Sequence, residues 1–124
     1  MPSFTVSVPI FRSFDEAKAR EFYLDFLGFT VGFEHRFTPD APLYMEVRLG
    51  DCVLHLSEHY GDATPGSAVR VETVDLAGYH RSLIAKAYKY ARPGLHDQSW
   101  GWREMIVADP FQNRLVFCEP LPTA

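Results

Sequence analysis

Tyr44-Met-Glu-Val-Arg-Leu-Gly-Asp-Cys-Val-Leu-His-Leu-Ser-Glu58 and Arg103-Glu-Met-Ile-Val-Ala-Asp109, resumed at Arg114-Leu-Val-Phe-Cys-Glu119, are two versions of one pattern. Each is an alternating run, a turn, and a second run that ends Leu-x-x-x-Glu. Alternation with period 2 marks strands that turn one face to a core. Gly50-Asp51 is a two-residue hairpin signal. Asp109-Pro-Phe-Gln-Asn113 is a longer turn with proline where its fixed φ is wanted.

What precedes each strand pair also repeats. Phe4 to Ile10 alternates like a strand, with Pro9 confining its end to an edge or a crossover. Ser13-Phe-Asp-Glu16 reads as a capping box that opens a helix. Ala19, Phe22, Tyr23 and Phe26 then form one helix face, and Gly28 is the natural stop. Phe29 to Phe37 is a further strand, ahead of Leu43 to Leu49 and Cys52 to Glu58. In the second half, Ala68 to Glu72 alternates, and Leu76, Tyr79, Leu83 and Ile84 stripe a helix within Val74 to Ala85. Ala87 to Arg92 reads as a short strand ended by Pro93-Gly94, before Trp102 to Ala108 and Arg114 to Glu119. The expectation is an α+β fold of duplicated βαβββ units, curled mixed sheets with helices on the convex side. The repeats run from about 3 to 60 and about 66 to 120, in a single domain over 1–124.

Composition narrows the function classes. At 124 residues with 47% hydrophobic and 15% aromatic content, the chain can bury a core without staples. Its charged fraction of 23% excludes a disordered chain. A net charge of -4 argues against nucleic acid or an acidic membrane surface as partner. Cys52 and Cys118 form neither a disulfide framework nor a zinc-ligand spacing. The start of the chain lacks a signal-peptide pattern, and no apolar run approaches the roughly 20 residues of a membrane span. A cytoplasmic protein is the expectation.

The whole chain resembles the glyoxalase/bleomycin-resistance/dioxygenase superfamily, also called vicinal oxygen chelate, closest to its bleomycin-resistance branch. The resemblance is carried by Phe22-Tyr-Leu-Asp-Phe-Leu-Gly-Phe29, by Val8-Pro9-Ile10 before the Asp15 helix, by Trp100-Gly-Trp-Arg-Glu104, and by Asp109-Pro-Phe-Gln-Asn113. Gln112 stands where the family usually has glycine. The resemblance implies half-barrels whose concave surfaces hold a ligand. It also implies a homodimer with exchanged N-terminal strands, for which a first strand carrying Pro9 is a plausible hinge.

In enzymes of this superfamily the first and last strands of each unit carry metal ligands. Here Met1 to Ser13 holds no His, Gln, Glu or Asp, and Gly66 to Val71 offers only Ser67 and Arg70. Val116 occupies the equivalent position on the last strand, with Glu119 out of phase. His55 alone is of a suitable type, and one imidazole does not make a metal site. His55 and His59 lie about 13 Å apart along a strand. No metal and no cofactor are expected. A Ser57-His nucleophile is refuted by parallel projections about 7 Å apart, and no Gly-rich phosphate loop precedes a helix. Tyr88-Lys-Tyr90 with Arg92 reads as ordinary sheet surface.

His55, Ser57 and His59 share the strand face opposite Leu54 and Leu56, which makes them a polar floor to a cavity. Resemblance implies aromatics that stack planar drug rings and carboxylates that meet positive charge. Phe33, Phe37, Tyr44, Trp100 and Trp102 supply the first; Glu46, Glu58 and Glu104 the second. The expected ligand-binding set is Trp102, Trp100, His55, Glu104, Phe33, Tyr44, Glu46 and His59, with no catalytic residue. The expected partner is a planar or cationic small molecule of the bleomycin kind. The alternative is a metal-assisted glyoxalase-like enzyme acting on a small electrophile.

Overall fold

The structure, a computed structural model, describes residues 1–122. The first unit runs β1 (Ile10–Arg12), α1 (Glu16–Arg20, continuing as a π-helical segment over Glu21–Phe26), β2 (Thr30–His35), β3 (Tyr44–Leu49) and β4 (Cys52–Ser57). The second runs β5 (Ala68–Glu72), α2 (Leu76–Ala85), β6 (His96–Asp97), β7 (Trp102–Ala108) and β8 (Arg114–Pro120). Each unit closes a four-stranded mixed sheet of the same order, β1-β4-β3-β2 and β5-β8-β7-β6. The architecture is therefore α+β with duplicated βαβββ units.

The helix face read from sequence is the buried one. Ala19, Phe22, Tyr23 and Phe26 of α1 pack with Met45, Val47, Leu54 and Leu56 from β3 and β4. Leu76 and Leu83 of α2 join Met105, Val107, Leu115 and Phe117 from β7 and β8 in the same continuous cluster. Each such side chain, fully buried, contributes about 1.5–3 kcal/mol. Gly28 ends α1 at φ +91°, a conformation costly for any residue with a Cβ. The units are also bonded to each other: the Tyr23 hydroxyl donates to Asp109 Oδ2 at 2.6 Å, Asn113 Nδ2 to the Arg12 carbonyl at 2.9 Å, and the Tyr79 hydroxyl to the Leu27 carbonyl at 2.7 Å.

Four expectations are corrected. The first strand is Ile10–Arg12, not Phe4–Ile10. Its parallel ladder on β4 begins where His55 N–H donates to the Pro9 carbonyl at 3.0 Å, and Pro9 has no N–H with which to extend it. Phe4 and Val6 are left 97% and 84% exposed. Second, the cap of α1 is Asp15, whose Oδ1 accepts from Lys18 N at 3.0 Å. Ser13 is buried instead, its N–H donating to the Ser57 carbonyl at 2.8 Å as the ladder's last bond. Third, α2 starts at Leu76 behind an Asp75 cap, so Val74 lies outside it and exposed, and Ile84 also faces outward. Fourth, Ala87 to Arg92 is not a strand. Ala87 sits at φ +52°, Tyr88 stacks on Phe26 with centroids 4.7 Å apart, and pairing to β7 waits until His96. Tyr88 thus docks on α1 rather than on a sheet, while Tyr90 packs edge-on against Tyr88.

Candidate functional site

Period-2 alternation turns the even-numbered residues of β3 and the odd-numbered residues of β4 away from the helices. Glu46 lies opposite His55, and Tyr44 opposite Ser57, while Phe33 of β2 lies opposite Glu46. Four of the expected residues therefore form one cluster. The Tyr44 hydroxyl and His55 Nδ1 are 2.7 Å apart, and His55 Nε2 is 3.0 Å from Glu46 Oε2. Phe33 stacks on Tyr44 at 6.2 Å and meets the His55 ring edge-on at 5.3 Å. Arg48 Nε donates to the other oxygen of Glu46 at 2.7 Å.

Burial pushes the Tyr44 phenol above its ordinary range, aided by Asp62 and Glu46. A neutral imidazole that accepts from this phenol at Nδ1 donates from Nε2 to Glu46. Hydrogen bonds from His55 and Arg48 hold that carboxyl below the usual carboxylate range. Both nitrogens of His55 and both oxygens of Glu46 are thereby committed.

The surrounding residues play other parts. The Ser57 hydroxyl donates to Asp62 Oδ2 at 2.6 Å and accepts from His59 N at 3.1 Å, closing the turn after β4. His59 meets Phe37 edge-on at 5.8 Å. It lines a hollow of about 250 Å³ with His35, Phe37, Tyr44 and Asp62, so Tyr44 borders both His55 and this hollow. Glu58 Oε1 accepts from Leu43 N at 2.9 Å and braces the start of β3.

On the second sheet, Trp102, Glu104 and Ile106 of β7 share a face with Val116 of β8 and Arg70 of β5. Arg70 Nη1 donates to Glu104 Oε2 at 2.8 Å, and its guanidinium lies 5.6 Å over the Trp102 ring. Trp100 precedes the strand across Gly101 and is 62% exposed. Sequence reasoning passed over Arg48 and Arg70 as binding groups, although period 2 from Glu46 along β3 does reach Arg48.

The two units can be matched by register. The parallel ladders end at equivalent bonds, Ser13 N to Ser57 O and Thr73 N to Cys118 O. Counting back pairs Ile10 with Arg70, His55 with Val116, and Glu46 with Ile106. The four rungs that would carry metal ligands thus hold Ile10, His55, Arg70 and Val116. This donor set does not fit a metal ion, which needs three or so N, O or S ligands converging on one point. Among the described residues no three His, Cys, Asp or Glu side chains gather in that way.

A family model described as "Glyoxalase superfamily protein" matches residues 2–123. The chain belongs to the glyoxalase superfamily. Solved structures of the same fold include a bleomycin-binding protein complexed with bleomycin, at 22% identity, 94% coverage of this chain, 98% of that one, and TM-score 0.68. An antibiotic-binding protein from Streptomyces sp. CB03234 matches at 20% identity, 96% and 99% coverage, and TM-score 0.69. A member of the glyoxalase/bleomycin resistance protein/dioxygenase superfamily from Sphaerobacter thermophilus matches at 19% identity, 94% and 98% coverage, and TM-score 0.67. No curated protein matches the sequence. The glyoxalase-superfamily chain thus shares with these proteins its fold of duplicated βαβββ units. Among its described residues no helix is long and apolar enough to cross a membrane.

Proposed function

We propose that the protein is a non-catalytic binder of a planar, antibiotic-like small molecule that protects by sequestration. It lowers the free concentration of its ligand by mass action and transforms nothing. The observation that carries this reading is the state of His55. It is the only metal-ligand type on the four rungs, and Tyr44 and Glu46 already hold both of its nitrogens. An imidazole so held is fixed in place as a rigid part of a floor. Phe33 and Tyr44 on the first sheet and Trp102 on the second offer flat apolar surface. Stacking adds about 0.5–1.5 kcal/mol per aromatic pair beyond area burial.

In this reading the two units act as one domain, and two chains assemble as a homodimer with exchanged N-terminal segments. Support comes from Phe4 and Val6, alternating apolar residues that no strand covers among the described residues. A second copy that covers them would also close over the two open sheet faces. Two free thiols fit a reducing cytoplasm.

The test is calorimetric titration with bleomycin, the ligand of one structural neighbour, alongside metal analysis and size-exclusion chromatography. Saturable micromolar binding weakened by Trp102→Ala supports the reading. Near-stoichiometric zinc, nickel or manganese in the purified protein refutes the metal-free form, and a clean monomer at micromolar concentration refutes the dimer.

A further inference from the structure

Both sheets turn the same chemistry outward, and it is not the acidic surface that the sequence leads one to expect. The three carboxylates that could meet a cationic ligand are all engaged: Glu46 by His55 and Arg48, Glu58 by Leu43 N–H, and Glu104 by Arg70. The side chain of Glu46 is 10% exposed beneath an Arg48 that is 56% exposed. That of Glu104 is 6% exposed beneath an Arg70 that is 52% exposed. On each sheet an arginine therefore lies outermost and a carboxylate underneath.

An approaching cation would meet a guanidinium first, and would have to break an ion pair to reach a nearly buried oxygen. An anion meets the reverse arrangement. The guanidinium of Arg70 presents five N–H donors in a planar fork suited to two oxygens at once. Beside the Cys118 thiol, it donates from Nη1 to Glu104. That bond and the Trp102 ring below fix its orientation, so little freedom is lost when a ligand arrives. Beside it on the same rung lie Val116, buried, and Ile106, 48% exposed, an apolar shelf.

We infer that the second sheet selects a planar aromatic oxyanion, its carboxylate-type group on Arg70 beside Trp102 and its ring over Ile106. This deepens, and rests on, the reading of the protein as a small-molecule binder. It names the charge that the ligand carries at this face.

Three isosteric probes test it on the full chain, followed by tryptophan fluorescence and calorimetry: 2-naphthoate, 2-naphthamide and 2-naphthylmethylammonium. The expected order of affinity is naphthoate first, by roughly tenfold over the amide, as a charge-assisted hydrogen bond warrants. Arg70→Gln removes that preference. Arg70→Lys keeps a charge over Glu104 while discarding the fork, and weakens naphthoate several-fold with the fold intact by circular dichroism. Equal affinity for all three probes, tighter binding of the ammonium, or a naphthoate preference that survives in Arg70→Gln overturns the inference. Failure of every probe to bind overturns it as well. The bleomycin titration judges the broader binding reading independently, so the two can fail separately.

Discussion

Tyr23 and Asp109 are 86 positions apart in the chain, yet the Tyr23 hydroxyl donates to Asp109 Oδ2 at 2.6 Å inside the core. The same carboxylate accepts from Asn113 Nδ2 and from the backbone N–H groups of Phe111 and Asn113, all within 2.9 Å. One side chain thus shapes the β7–β8 turn and fastens it to α1. Asp109→Asn replaces one acceptor oxygen by a donor. If that amide takes the Oδ2 position it faces Asn113 Nδ2, another donor, and the Tyr23 hydroxyl loses its acceptor. We expect a loss on the order of 2 kcal/mol in chemical denaturation, with Tyr23→Phe costing about 1 kcal/mol. Wild-type stability in Asp109→Asn would show that the turn closes by other means.

Alkaline pH should unfold the protein through its tyrosines. Burial and the Asp109 carboxylate raise the Tyr23 phenol well above its ordinary value, and burial raises that of Tyr79. Burial, and then its bond to Glu21, push Tyr88 up to about 12. A folded-state pKa above the unfolded one means the folded state holds the proton more tightly. This contribution to stability is complete below about pH 10, the unfolded tyrosine value, and falls as pH rises toward the folded values. Denaturation midpoints measured from pH 8 to 11.5 should be level at first and then decline. Tyr23→Phe should make that decline shallower, and an unchanged slope would remove Tyr23 from the account.

Gln112 occupies φ +75° in the turn after Asp109. The sequence already marks the position, since the superfamily it resembles usually has glycine there. A left-handed backbone costs an ordinary L-residue about 1 kcal/mol, partly offset for glycine by its larger loss of freedom on folding. Gln112→Gly should therefore raise stability by about 0.5 kcal/mol, or one to three degrees in Tm. A lower Tm would mean that the Gln112 side chain makes a stabilising contact.

Legibility followed the distance over which a signal acts. The β3–β4 and β7–β8 pairs were readable because alternation, a two-residue turn and an Asp-Pro turn are all local. So was the co-location of Tyr44, Glu46 and His55, which follows from period 2 on one hairpin. Misplacements occurred where a distant element decides. The alternation at Phe4–Val8 is real but pairs with no strand among the described residues, and that at Tyr88–Arg92 serves a stack of Tyr88 on Phe26. The capping motif at Ser13 gave way because β4 engages that residue's backbone. The commitment of Glu46 and Glu104 to arginines depends on cross-strand register and lies beyond any local pattern.

Gly32 governs the His55 cluster without belonging to it. It lies at the irregularity between Val31 and Phe33 where β2 slips against β3. A Cβ built on it would collide with Oε1 of Glu46, the oxygen that receives Arg48. Because that oxygen ends a flexible side chain, Gly32→Ala should displace the carboxylate and leave the strand in place. Removed from His55 and Arg48, Glu46 loses the bonds that hold its pKa down. Its titration midpoint, followed by carboxyl-carbon NMR, should rise toward the ordinary value of about 4.3. The sign for stability follows. A depressed folded-state pKa adds stability above the unfolded value, and this is lost as pH falls through the folded one. The variant should therefore show a flatter decline in acid than the wild type, and its affinity for a ring on Phe33 and Tyr44 should drop as His55 loses a fixed neighbour. An unchanged Glu46 midpoint in Gly32→Ala would mean the carboxylate finds the same partners by another path, and that the glycine serves only the bulge.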